Sequence, residues 1–373
     1  MKYLLFVITY CFYVFISQNQ AFSLELPTSG NFETVKSGDT LISVLRQNAW
    51  TKSDISSVLQ HKEAVDFVLY PGAEYYISRK SPVASLIVFF ETESDNALIF
   101  EKTAHEAKIS YDELKYTKKA VSVSGKVVGS LQASIMEKVP STAIAQRFMN
   151  AYVLDYNLRK SLQRNSPYSL TFEKKYLGKR FIKYGEVLQA SLEINGSEIK
   201  RDFVTFKNGG AFIDPMGTSK KPFYAPVEYL NISSLFQPRR RHPITKRVIP
   251  HMGIDFELAI GSPVFSVAGG KVLRTGRNRA AGNYVVIKHL NGLESFYNHL
   301  SETNVSPGQY VEPGEHIAAV GCTGYCTKAH LHLAVKSNGR FIDPSKYVKP
   351  YPYHKRNKIE TYRVSATKKY EVR

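Results

Sequence analysis

His251-Met252-Gly253-Ile254-Asp255-Phe256 opens, and His330-Leu331-His332 nearly closes, a stretch built from short apolar runs at regular spacing, at 263–267, 270–274, 283–288, 293–297, 317–320 and 331–335. Gly and Pro separate the runs, and Asn291-Gly292 is a hairpin signal, so the region from Ile232 reads as an antiparallel all-β domain. In a strand, residues two apart share a face, which puts His330 and His332 on one cleft. A catalytic zinc takes three protein ligands and keeps a fourth position open. His251, Asp255 and His332 would supply a His2Asp set of that kind, with His330 standing beside the open position. Each piece alone is weak, since His-x-x-x-Asp is close to noise and paired surface histidines are common. Their joint occurrence in one small β domain is what points to metal chemistry. No His-Glu-x-x-His occurs, which excludes a zinc helix of that type.

Outward from this stretch, the 373 residues are too many for one typical core, and several domains are expected. The balance of 50 Lys+Arg against 32 Asp+Glu, a net charge of +18, calls for an acidic partner or surface. At the N-terminus Lys2 precedes an apolar run from Tyr3 to Ile16, followed by a polar stretch ending Ala21-Phe22-Ser23. That is a signal peptide over 1–23, cut after Ser23. The run is too short for the roughly 20 residues of a membrane span, although an uncleaved anchor is the other reading. Export sets nucleic acid aside and leaves the cell envelope. With Cys11 in the leader, only Cys322 and Cys326 remain, so the fold must rest on its cores.

Residues 32–80 read as strand, helix opening at Asp39 or Thr40, second helix from Ser53, and a strand at 74–77. With Lys36-Ser37-Gly38-Asp39-Thr40-Leu41 and Leu69-Tyr70-Pro71-Gly72, this order resembles the LysM-type wall-binding module. Residues 81–227 read as a separate α+β unit with a scaffolding or regulatory role. It carries a helix over 141–153 and a hairpin turning at Asn195-Gly196. The last segment, 348–373, is basic and without apolar periodicity, and is expected to stay unstructured until it meets an anionic envelope surface.

Further motifs join the two histidine motifs: Gly261-Ser262-Pro263-Val264, Gly282-Asn283-Tyr284-Val285-Val286-Ile287, Tyr297-Asn298-His299-Leu300, Gly321-Cys322-Thr323-Gly324 and Asp343-Pro344. In order and spacing, residues 232–347 resemble the catalytic domain of LytM/lysostaphin-type metallopeptidases. The resemblance is nearest to murein DD-endopeptidases of Gram-negative envelopes, which have a LysM-like domain upstream. It implies one zinc per chain held by His251, Asp255 and His332, with His330 and His299 as catalytic histidines flanking the activated water. It also implies hydrolysis of peptidoglycan cross-links in the periplasm, with the upstream domains targeting or gating the enzyme. His330 is favoured as general base and His299 as stabiliser of the oxyanion; the reverse assignment stays open. The rival readings are a catalytically silent activator of a separate cell-wall amidase and a structural wall-binding protein.

The chain departs from the family before His-x-His, where Cys322, Cys326 and Lys328-Ala329 replace small residues and Gly-Pro. Two cysteines four apart in an oxidising compartment suggest a disulfide clamping the loop; free thiols, or a soft metal shared with His330, are the alternatives. Arg239-Arg240-Arg241 is either a solvated turn or a grip on peptide carboxylates. His61, His105, His242, His289, His316 and His354 have no comparable context.

Overall fold

The computed structural model describes residues 26, 30–81, 84–91, 94–206, 210–215, 220–229, 231–241 and 248–359. The expected leader and His242 lie outside the described residues. The chain divides into two compact units, one running as far as 118 and including 175–183, the other made of 119–174 and 184 onward.

The first unit begins with β1 (Asn31–Thr34), followed by the helices α1 (Leu41–Gln47), α2 (Lys52–Val58) and α3 (Lys62–Asp66). Thr40 and Thr51 start α1 and α2 with reciprocal capping boxes, in which the side chain of each N-cap residue and that of the residue three on satisfy otherwise orphaned amides. β2 (Glu74–Ser81), β3 (Ala84–Phe90), β4 (Asn96–Lys102) and β5 (Ala107–Glu113) complete a five-stranded antiparallel sheet in the order β1-β2-β3-β4-β5. Leu41, Val44, Leu45, Ile55 and Val58 pack with Tyr75, Ile77, Ile87, Phe89, Leu98 and Phe100 of the sheet. The boundary expected between 80 and 81 is therefore corrected. It falls inside the β2–β3 hairpin, where Ile77 sits opposite Ile87, and the helices need the extra strands to cover their apolar faces.

β6 (Thr117–Lys126), β7 (Pro167–Leu177), β8 (Arg180–Ile194), β9 (Ser197–Thr205) and β10 (Gly210–Ile213) form another five-stranded sheet, most of whose residues belong to the second unit. Asn195 and Gly196 both have positive φ, 52° and 78°, which suits the tight turn joining β8 to β9. α4 (Leu131–Lys138) and α5 (Thr142–Asn150) supply Ile135, Ile144 and Phe148 to the core under this sheet. Ser141 caps α5, whose C-terminal Asn150 donates to Asn231 at 2.6 Å.

The third sheet has ten strands: β11 (Asn231–Ser234), β12 (Ile254–Glu257), β13 (Pro263–Phe265), β14 (Gly270–Asn278), β15 (Gly282–His289), β16 (Glu294–Thr303), β17 (Tyr310–Val311), β18 (His316–Val320), β19 (His330–Ser337) and β20 (Arg340–Ile342). Its main order is β11-β12-β19-β16-β15-β14-β17, with β18 joining β13 and β16. The all-β expectation for this region describes what is observed, but its edges move. Phe223, Ala225, Val227, Tyr229 and Val348 are buried in the same core, as is Leu154. A cut near residue 227 or 232 would remove core side chains, so the middle and all-β segments are not independent units. The tail expectation is corrected as well. Tyr351 and Ile359 are buried against Val204, Ala211 and Ile213, because single apolar residues without periodicity can still find a cleft. Residues 360–373 lie outside the described residues.

His289 is one of the histidines without functional context, and it serves the core. Its Nδ1–H donates to the Gly269 carbonyl at 3.0 Å, and its Nε2 lies 2.8 Å from the Ser295 hydroxyl oxygen. Burial lowers its pKa below 6.5, outweighing the backbone hydrogen bonds that raise it. The unfolded chain then takes up this proton first as pH falls, so stability is lost below about 6.5, by at most about 1.4 kcal/mol per pH unit from this group. Denaturant unfolding of wild type and His289→Gln should show a steeper loss between about pH 6.5 and 5 in the wild type. Equal slopes would remove His289 from the acid response.

Candidate metal centre

β12 and β19 pair antiparallel, with Asp255 opposite His332 and Glu257 opposite His330. Their alternate residues Ile254, Phe256, Leu331 and Leu333 are buried in the core, so the polar partners occupy the other face. Directly opposite residues in such a pair bring their side chains together, and His332 Nδ1 lies 2.8 Å from Asp255 Oδ1. His251 enters beside them from the hairpin that bridges Gln237 to His251. Its Nδ1 is 2.7 Å from the Leu235 carbonyl oxygen and 3.1 Å from Ser234 Oγ. A carbonyl only accepts, so the proton sits on Nδ1 and Nε2 is left as a lone-pair donor.

That Nε2 faces Asp255 Oδ1 at 3.0 Å and His332 Nδ1 at 3.1 Å, and the three ligand atoms lie within 4.8 Å of one another. With its proton on Nδ1, His251 turns a lone pair toward the carboxylate and toward His332, a donor set that a cation would fit. Burial pushes the Asp255 carboxyl up, but the adjoining His251 and His332 outweigh it and hold the group well below the usual carboxylate range. Two imidazoles and one ionised carboxylate, with one side left open, fit a catalytic zinc. The carbonyl behind His251 is the outer-shell partner that such a ligand needs to keep its ring oriented.

The other two histidines stand at the open side. In β16, Tyr297 pairs with Val285 and Leu300 with Asn283, so Asn298 and His299 oppose a single residue. This bulge places His299 in the left-handed region, at φ 64°, a strained setting for a non-glycine residue that functional sites favour. Its Nδ1 donates to the Thr323 carbonyl at 2.8 Å. Burial lowers its pKa, and the Thr323 hydrogen bond only partly opposes this. His330 donates from Nδ1 to the Lys328 carbonyl at 2.7 Å, with Nε2 3.7 Å from Asp255 Oδ1. The His299 and His330 rings are 4.7 Å apart.

All five residues singled out in the sequence thus meet at one end of the sheet. Several supporting residues carried no such signal. A Cβ at Gly253 would lie 2.5 Å from the Leu333 carbonyl oxygen and 2.6 Å from His332 Nε2. Gly253→Ala should therefore displace His332, and zinc affinity measured by competition with a chelator should fall about 10- to 100-fold. Unchanged affinity would show that the ring has room to move. Gly253 stands inside the His251–Asp255 motif, but its crowding comes from β19 and is invisible along the chain. Cys322 and Cys326 are disulfide-bonded, so neither is a thiolate ligand. Arg240 Nε donates to the Ile249 carbonyl at 3.2 Å, which ties the arginine run to the hairpin leading into His251.

Residues 249–344 match the model of peptidase family M23. This region is a peptidase family M23 domain. An uncharacterized metalloprotease of Haemophilus influenzae is 29% identical over 83% of this chain and 66% of its own length. Peptidoglycan DD-endopeptidase ShyB of Vibrio cholerae is 27% identical over 84% of this chain and 74% of its own. A solved structure of a zinc containing peptidase from Vibrio cholerae matches over 86% of this chain and 100% of its own at 27% identity, with a TM-score of 0.39. The M23 domain accounts for the zinc-type donor set and for hydrolytic chemistry. Its matched limits leave out Phe223 to Tyr229, which the core includes.

Proposed function

We propose that the protein is a peptidoglycan endopeptidase that hydrolyses peptide cross-links in a Gram-negative envelope. The observation that carries this reading is the convergence of His251, Asp255, His332, His299 and His330, with the ring protons of His251, His299 and His330 each held by a backbone carbonyl. The M23 domain and the ShyB likeness support the substrate class.

His251, Asp255 and His332 are assigned as the ligands of one zinc. Zinc held there would supply Lewis acidity, polarising the scissile carbonyl and lowering the pKa of a water toward about 7. The ligand set contains no spare carboxylate, so the proton must be taken by a histidine. With their protons fixed on Nδ1, His330 and His299 both present Nε2 as an acceptor. His330 is assigned as the base, since its Nε2 lies next to the ligand cluster. His299, once protonated, donates to the tetrahedral oxyanion or to the departing amine. A silent activator would be expected to lack part of this constellation, which is complete here.

Residues 1–23 are proposed as the export leader and the periplasm as the location. The first helices and strands are proposed as a LysM-like wall-directed element enlarged by β3–β5, and the middle segment as scaffold or restraint. The basic residues beyond Ile359 are proposed to add contact with anionic envelope surfaces. Digestion of purified sacculi by the zinc-loaded protein, followed by mass analysis of the soluble muropeptides, tests the central claim. Cross-linked dimers should give way to monomers; undiminished dimers alongside stimulated amidase cleavage would favour the activator instead.

A further inference from the structure

We propose that the Cys322–Cys326 disulfide loop is a positioning element for both His299 and His330, so that turnover depends on its oxidised state while zinc binding does not. The inference rests on the histidine roles assigned above. Its starting point is that the carbonyls orienting the two rings belong to the segment between β18 and β19. The first is Thr323, inside the disulfide ring and next to Cys322; the second is Lys328, two residues past Cys326. Cys326 Sγ is itself 3.7 Å from His330 Nδ1. The ligands His251 and Asp255 are oriented by other parts of the chain, and His332 by its pairing with β12.

The loop is also pinned to its neighbours at atomic contact. Thr323 Oγ1 donates to the Leu300 carbonyl at 2.8 Å and accepts from the Asn283 amide at 2.9 Å. Tyr325 N–H donates to the Ala280 carbonyl at 3.0 Å, and His299 N–H to the Ala281 carbonyl at 2.7 Å. The approach is close enough that a Cβ on Gly282 would lie 2.2 Å from Thr323 Oγ1, and one on Gly324 2.3 Å from the Gly282 amide nitrogen. Both glycines also have positive φ, 63° and 76°, so the 280–283 turn and the 322–326 loop accept no other residue without shifting. His299 hangs between them on a left-handed backbone. A closed ring across 322–326, with its Cα atoms 5.2 Å apart, restricts the direction of the Thr323 carbonyl. Opened, these residues regain backbone freedom that the hydrogen bonds alone must oppose. Displacements of about 1 Å in a reacting group are enough to cost on the order of 100-fold in rate.

A ring this small stabilises the fold less through chain entropy than a long loop would, since that contribution grows with loop length, so its loss should soften the fold without unfolding it and leave positioning to be read separately. The test compares the full chain with the Cys322→Ser/Cys326→Ser variant, and with wild type reduced by a water-soluble trialkylphosphine. In that reduction the phosphine takes the oxygen of a water to become its oxide, and both sulfurs leave as thiols. Zinc content should stay near wild type, and Tm should fall by no more than about 10 °C. The kcat on cross-linked muropeptide should fall about 10- to 100-fold with KM changed less than about threefold, and reoxidation of the reduced wild type should restore it. A second readout needs no activity. The imidazole N–H signals of His299 and His330 in 15N-labelled, zinc-loaded protein should exchange with water faster in the variant, while that of His251 stays protected. Wild-type kcat together with unchanged N–H protection would overturn the proposal. So would a loss of zinc or a collapse of Tm that accounts for the lost activity. Inactivity of both proteins toward muropeptides would count against the endopeptidase assignment, and the N–H exchange would still decide the role of the loop.

Discussion

Asp255→Ala is expected to abolish zinc binding and hydrolysis together. Asp255 Oδ1 is the common partner of His251 and His332, at 3.0 and 2.8 Å, and the only carboxylate among the three donors. Its removal leaves two imidazoles with no anion to balance a dication. Burial of the site makes that imbalance worse, because uncompensated charge in a desolvated position is costly. His332→Ala should behave alike, since His332 is the cross-strand neighbour that brings the carboxylate and His251 into range. Metal analysis after dialysis should find well under one zinc per chain in both variants. Muropeptide release should fall by at least about 10³-fold, the equivalent of the several kcal/mol that a Lewis acid contributes to such a transition state. A variant that kept stoichiometric zinc would remove that residue from the ligand set.

The second large effect separates binding from turnover. His330→Ala and His299→Ala should both retain zinc, and each should lose about 10²- to 10⁴-fold in kcat, the range associated with proton transfer by a positioned side chain. Neither residue belongs to the three-donor cluster. Their Nδ1 protons go to the Lys328 and Thr323 carbonyls, away from the ligands. Because the two act on the same transition state, the double variant should lose far less than the product of the single effects. If His330→Ala released zinc as readily as Asp255→Ala, the division of roles would be wrong, and His330 would belong with the ligands.

Much of the site was legible in the chain because β structure has a period of two. His330-Leu331-His332 and Ile254-Asp255-Phe256 each announce one polar and one apolar face, and the apolar members are indeed fully buried. Asn195-Gly196 marks its turn for an equally local reason, the positive φ that both residues adopt. What lay beyond the sequence is what depends on partners far along the chain. Nothing local says that Asp255 registers with His332, that β16 bulges to turn His299 inward, or that Thr323 and Lys328 provide the carbonyls orienting the two histidines. The same limit applies to the edges of the units. Residues 74–81 look like the close of a small domain until β3 pairs with them, and Phe223, Val348 and Ile359 look like linker and tail until a core receives them. Periodicity and turn chemistry are properties of neighbouring residues and can be read in order. Register, bulges and the filling of a core are settled only when distant segments compete for the same hydrogen bonds and the same space, which is why tertiary structure alone decided them.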